Sequence, residues 1–180
     1  MIHVAVLGYG TVGSGVVEVI EGNKALINKR SLTEINVKYI LDLLDFPGDP
    51  YEDKIVHSID VIVDDPEVSI VCETMGGVRA AYEFTKKALS KGKSVCTSNK
   101  EMVAKYGPEM LQLAKENNCN YLFEASVGGG IPIIRPINEA LTAEKLEAIT
   151  GILNGTTNYI LTKMQNEGAN FADVLKEAQD

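Results

Sequence analysis

Cysteine is scarce in this chain, cationic side chains are outnumbered, and no long apolar run occurs; each shortage removes a class of protein. The three cysteines give neither an even count for a disulfide framework nor metal-ligand spacing. Cys72 and Cys96 lie in apolar strand-like runs and Cys119 in a polar NNCN turn, as structural or incidental thiols do. With 17 Lys and Arg against 25 Asp and Glu, the net charge of −8 opposes a nucleic-acid or anionic-membrane surface, both of which need clustered cations. No stretch approaches the roughly 20 apolar residues that span a bilayer. The chain opens directly on a strand, with neither a basic nor a cleavable apolar leader, so a cytoplasmic location is the expectation. What remains is 180 residues, 45% apolar and 23% charged, enough for one full domain and part of another.

The chain is organised around HVAVLGYGTVGSGVVEVI, His3 to Ile20, where a short β-branched strand meets a helix through Gly8, Gly10 and Gly13. A GxGxxG turn between a buried strand and a packed helix is the context in which the pattern signifies dinucleotide binding. Gly8 turns the chain, Gly10 lets the backbone approach a pyrophosphate, and Gly13 lets the helix sit close to the strand. The free N–H groups of the first helical turn then face phosphate. Val12, Val16 and Ile20 are the expected buried face of that helix, which should run to about Lys29. A second strand, Asn36 to Leu41, ends at Asp42, placed to accept a hydrogen bond from the adenosine ribose; Asp45 competes for that role.

Ile55 to Asp65 reads as strand and short helix, and Val68 to Glu73 as a buried strand. The strand ends in Thr74, Met75, Gly76 and Gly77, a second glycine-bearing turn expected to line the same crevice as the first, before a helix over Val78 to Ser90. Lys93 to Thr97 gives the next strand, and Ser98 or Asn99 an N-cap that puts Lys100 in a first helical turn. A cation at the positive end of a helix is electrostatically misplaced, which makes Lys100 a candidate acid/base or nicotinamide-side group, against the alternative of a lysine bent into solvent. That helix is expected to break near Gly107-Pro108. A strand over Asn120 to Glu124 leads to consecutive glycines at 128–130, costly to order and so suggestive of close approach to a ligand or ion. Further on, Ile131 to Ala143 reads as a helix, Leu146 to Leu153 as a strand, and the segments from Asn154 and Phe171 as helices, the first with Thr156 or Thr157 near its cap. These elements predict an α/β fold: a doubly wound parallel sheet of Rossmann type over 1–130, followed by the beginning of a second α+β domain over 131–180.

Taken together, GYGTVG, ETMGG, TSNK, FEASVGGGIPII and GILNGTTNYI, in this order and spacing, resemble homoserine dehydrogenase over essentially the whole chain. The resemblance implies reversible hydride transfer between NADP or NAD and the homoserine/aspartate-semialdehyde pair, on the route to threonine, methionine and isoleucine. It implies a homodimer, a pyrophosphate turn at Gly8, Gly10, Thr11, Val12 and Gly13, and Thr74 beside the ribose and nicotinamide. Lys100 becomes the lysine that contacts cofactor and substrate. A sodium ion is implied at Glu124, Val127, Gly129 and Ile131, held mostly by backbone oxygens. Two departures matter. Many relatives carry a basic residue where this chain has Asp42, which keeps NAD open beside NADP. The family's substrate-binding acids and proton-transferring lysine are expected beyond the NGTTNYI helix. Other readings are a nucleotide-sensing domain, opposed by ETMGG and TSNK, and another oxidoreductase of similar architecture. A cysteine-dependent semialdehyde dehydrogenase is opposed because no cysteine opens a helix.

Overall fold

A computed structural model describes residues 1–179 as two compact units, divided between Ser126 and Val127. The first is built on a six-stranded parallel sheet. Its strands are β1 (Ile2–Leu7), β2 (Ile35–Leu41), β3 (Ile55–Val56), β4 (Val68–Glu73), β5 (Ser94–Thr97) and β6 (Tyr121–Leu122), in the order β3-β2-β1-β4-β5-β6. This order reverses direction between β1 and β4, the arrangement that opens a crevice beyond the carboxyl ends of the strands. The helices are α1 (Thr11–Gly22), α2 (Lys24–Ser31), α3 (Ile59–Val63), α4 (Arg79–Ser90) and α5 (Lys100–Glu116). Parallel strands need both faces covered, and two apolar clusters serve them. Leu7, Val71 and Val95 face Ile62, Ala88, Leu89, Met102 and Met110 of α3, α4 and α5. On the other face Val6, Val37 and Ile40 meet Val17, Val16 and Ile20 of α1.

Several boundaries differ from the sequence reading. The first helix does not run through to Lys29: Asn23 closes α1 with its backbone N–H and its side-chain Nδ2 both donating to the Val19 carbonyl, and α2 begins anew at Lys24. Val12 is 52% exposed, and Gly13 and Val17 are the buried positions of α1. The phase of the buried face is set by the close approach at Gly13, which spacing alone does not reveal. α5 continues through Pro108 without a break; the proline costs one backbone hydrogen bond that the packed face over Met102, Gly107, Met110 and Ala114 offsets. The strand expected at Asn120 to Glu124 keeps only Tyr121–Leu122 before a 3-10 turn, Glu124–Ser126.

In the second unit the expected helix over Ile131 to Ala143 reduces to a wide turn of helix at Pro136–Ala140, as prolines at 132 and 136 withhold two amide donors. Leu146 to Leu153 is not a strand. No strand of the described residues in this unit offers it a ladder, and a strand without a partner leaves its backbone groups unpaired. α6 (Gly155–Glu167) is capped by Asn154, whose Oδ1 accepts from the Thr157 N–H at 2.8 Å, rather than by Thr156 or Thr157. α7 (Phe171–Gln179) packs beside it, with Lys163 Nζ 2.6 Å from Glu177 Oε1. Asp180 lies outside the described residues. Among them, no helix is long and apolar enough to cross a membrane.

Candidate active site

The turns after β1, β4 and β5 all leave the carboxyl edge of the sheet, from strands that are neighbours. The first is shaped by its glycines. Gly8 has φ +90° and donates its N–H to the Leu41 carbonyl at 2.8 Å. A Cβ on Gly13 would lie 1.8 Å from the Gly8 carbonyl oxygen and 2.8 Å from Thr74 Oγ1, so only glycine permits this helix-to-turn contact. A Cβ on Gly10 would meet nothing within 4 Å. The absence of a side chain there leaves open space over the backbone, as a close-approaching ligand requires. No side chain caps the first-turn amides of α1, and that turn holds no acidic residue. Uncapped N–H groups beneath an open glycine are a ready anion site.

A cavity of about 390 Å³ lies at this edge, lined by Gly8, Gly10, Leu41, Asp42, Leu43, His57, Thr74, Met75, Gly76, Ala80 and Phe84. Its size and its mixture of apolar wall with a few polar groups are those of a small-molecule site. Asp42 stands at the end of β2 as expected. Its Oδ2 accepts from the Tyr9 N–H at 2.7 Å and Oδ1 from the Leu44 N–H at 3.0 Å, which fixes the carboxylate against the glycine turn. A carboxylate has about four acceptor positions, so these two bonds leave room for a hydroxyl donor. Asp45 is drawn elsewhere, 3.0 Å from His57 Nε2, while His57 Nδ1 lies 2.8 Å from the Asp42 carbonyl. These acceptors, the backbone carbonyl foremost, raise the His57 pKa above its ordinary value. Thr74 lines the cavity, but its hydroxyl faces the glycine turn, donating toward the Leu7 and Gly8 carbonyls at 2.9 and 3.0 Å. Thr74 therefore braces the turn.

Glu73 was not singled out in the sequence, and it organises the other half of the site. It is wholly buried. Its Oε1 accepts from the Met75 N–H at 2.8 Å and its Oε2 from the Thr97 hydroxyl, which in turn accepts from the Asn99 N–H at 2.9 Å. Burial pushes the Glu73 carboxyl above the usual carboxylate range, against the pull of these donors. Asn99 is the N-cap of α5, accepting from the Met102 N–H at 3.0 Å, and its Nδ2 donates to the Gly77 carbonyl at 2.6 Å. One buried acid thus ties the ETMGG turn to the TSNK turn. The sequence signal for it was a charged residue closing a buried strand. Lys100 is exposed at the first position of α5 and does not line the cavity. Of the residues expected to hold a cation, Glu124 opens the 3-10 turn that closes the first unit. Val127, Gly129 and Ile131 belong to the second, where the Ile131 N–H donates to the Gly128 carbonyl at 3.1 Å and Gly128 and Gly129 have φ +74° and +60°.

A parallel sheet of this order, an uncapped helix behind a glycine turn and an acid at the end of β2 define a dinucleotide-binding domain of Rossmann type. The comparisons narrow this to one family. Residues 8–124 match the family model described as homoserine dehydrogenase, NAD binding domain, and residues 132–180 match the homoserine dehydrogenase model. The chain belongs to the homoserine dehydrogenase family. It is 42% identical to the homoserine dehydrogenase of Bacillus subtilis strain 168, in an alignment covering 99% of this chain and 42% of that protein. A crystal structure of the Thiobacillus denitrificans enzyme aligns with a TM-score of 0.86 at 43% identity, over 99% of this chain and 42% of that one. A hyperthermophilic archaeal homoserine dehydrogenase in complex with NADPH aligns at 0.80 and 31% identity, over 99% and 60%. The chain spans about 42% of the length of this Bacillus relative.

Proposed function

We propose that this chain is the cofactor-binding part of a homoserine dehydrogenase, binding NAD or NADP for hydride exchange between L-homoserine and L-aspartate 4-semialdehyde. The observation that carries the reading is the uncapped first turn of α1 beneath the open backbone of Gly10, at the mouth of a cavity that Asp42 and Thr74 also line. In this reading the amides of Thr11, Val12 and Gly13 bind the pyrophosphate, Asp42 accepts from the adenosine ribose, and the Glu73-Thr97-Asn99 chain holds the turn that carries Lys100. A bound nicotinamide supplies the hydride acceptor. Lys100 contacts the cofactor and the substrate region, the role its TSNK motif suggests. Because Asp42 would face a 2′-phosphate, NAD binds at least as tightly as NADP.

To the same reading belong a place in threonine, methionine and isoleucine formation, a homodimeric whole protein, a cytoplasmic location, and a sodium ion on backbone oxygens at Glu124, Val127, Gly129 and Ile131. Calorimetric titration of the chain with NAD and NADP, beside an assay of homoserine-dependent NADH and NADPH formation, tests it. The expected result is saturable binding of NAD without enzyme-like turnover by the 180-residue chain, whose length is a minor part of the relative's. Absence of binding for both cofactors would overturn the reading. Joining the chain to the rest of the Bacillus subtilis relative and assaying homoserine oxidation is the arm that tests the homoserine step.

A further inference from the structure

Cys72 and Cys96 lie 24 positions apart in the chain, and the sheet brings them together. β4 and β5 are adjacent parallel strands whose register pairs Cys72 with Cys96 directly. Both side chains therefore leave the same face of the sheet, the one carrying α1, where Cys72 packs on the cluster around Val6 and Val17. The two sulfurs are 3.3 Å apart. Neighbouring strands run about 4.8 Å apart, inside the roughly 4.4–6.8 Å Cα separation that a disulfide spans. Closing the bond brings the sulfurs from 3.3 Å to the roughly 2.05 Å of a disulfide. Both residues keep part of their surface exposed. Cys119 lies apart, its sulfur 3.7 Å from the Leu89 carbonyl.

We propose that Cys72 and Cys96 form a reversible dithiol–disulfide site, closed by exchange with a low-molecular-weight disulfide. In the first step the Cys96 thiolate attacks one sulfur of the reagent; its S–S bond breaks, and the departing thiolate takes up a proton. The sulfur–sulfur contact, with burial, keeps Cys72 protonated, and the same contact favours the thiolate at Cys96. In the second step Cys72 gives up its proton to solvent and attacks Cys96 sulfur in the mixed disulfide, expelling the second small thiolate, which takes a proton in turn. Two protein thiols are oxidised to one disulfide and one small disulfide is reduced to two thiols, so protons and electrons balance. The second step is intramolecular, with the attacking sulfur already in contact, and outruns release of the mixed form. The bond would join β4 to β5 one residue before Glu73 and Thr97, whose side chains already join the same strands on the opposite face.

The test treats the 180-residue chain with oxidised glutathione under native conditions, alkylates the remaining thiols with iodoacetamide, and reads intact mass and peptide maps. The expected product has lost two hydrogens, carries one alkyl group, on Cys119, and yields a Cys72–Cys96 cross-linked peptide that dithiothreitol releases. Cys96→Ser and Cys72→Ser variants, checked for native circular dichroism, should each fail to form it, and Cys72→Ser should stop at a stable glutathione adduct on Cys96. The wild-type result does not depend on those variants folding. A persistent glutathione adduct on the wild-type chain, a disulfide to Cys119, or alkylation of both Cys72 and Cys96 after exposure would each overturn the proposal.

Discussion

Two glycines of α1 carry opposite lessons about what a small change costs. Gly13 and Gly15 sit two positions apart in α1, and only the first has backbone where a Cβ would go, 1.8 Å from the Gly8 carbonyl oxygen against nothing within 4 Å. Gly13→Ala should destabilise the fold by about 1–3 kcal/mol, the usual range of overpacking, and weaken NAD binding further by displacing the Gly8 turn. Gly15→Ala should stabilise by about 0.5–1 kcal/mol, because alanine loses less backbone entropy in a helix. Urea unfolding of both variants, with cofactor titration, checks the pair; equal effects would mean that α1 has slack against β1. Glu73 makes its prediction through the proton. Burial raises its folded-state pKa, so the native chain holds this proton more tightly than the unfolded chain does. Its contribution to stability is therefore full below the ordinary glutamate value of about 4.3 and is lost as pH rises through the elevated folded value. Glu73→Gln should flatten that decline, whereas Glu73→Ala strands the Met75 N–H and the Thr97 hydroxyl at about 1–3 kcal/mol each. Parallel pH profiles for wild type and Glu73→Gln in urea melts would show that the carboxyl is not linked to folding.

At the scale of elements, local patterning read the strands well and the helices less well. Val68–Glu73 was legible to the residue because a short segment rich in β-branched residues and bounded by turn residues is too short for a packed helix. α5 shows the opposite: Gly107-Pro108 is a strong local signal to stop, and the helix passes through it from Lys100 to Glu116. The buried Met102, Met110 and Ala114 hold one continuous stripe against the sheet, and breaking the helix would uncover it. The proline therefore persists at a cost. Pro108→Ala should raise stability by up to about 3 kcal/mol, the penalty of proline in a helix interior. Thermal melts read the change; a lower melting temperature would mean that the ring packs in a way alanine cannot replace. LEAITGIL failed as a strand for a related reason: a β-pattern specifies a capacity for pairing, and pairing needs a partner ladder.

For the molecule as a whole, both apolar clusters of the sheet are built from residues of the first unit, none later than Phe123. A fragment of residues 1–126 should therefore fold cooperatively and bind NAD about as well as the 180-residue chain. Circular dichroism, urea unfolding and calorimetry decide it, and a non-cooperative transition would place part of the folding free energy in the second unit. What the sequence determined by itself were the class of the fold, the position of the glycine turn after β1 and the acid at the end of β2. These rest on periodicity and on glycines whose backbone requirements are local. Tertiary structure alone decided the phase of α1, because its buried side follows from the Gly13 contact with Gly8 rather than from spacing. It also decided the role of Thr74 as a brace, the tie from Glu73 through Thr97 to Asn99, and the meeting of Cys72 with Cys96. Each of those joins residues 22 or more positions apart. They become neighbours only when β1, β4 and β5 are laid side by side in one register, and strand order and register are properties of the assembled sheet.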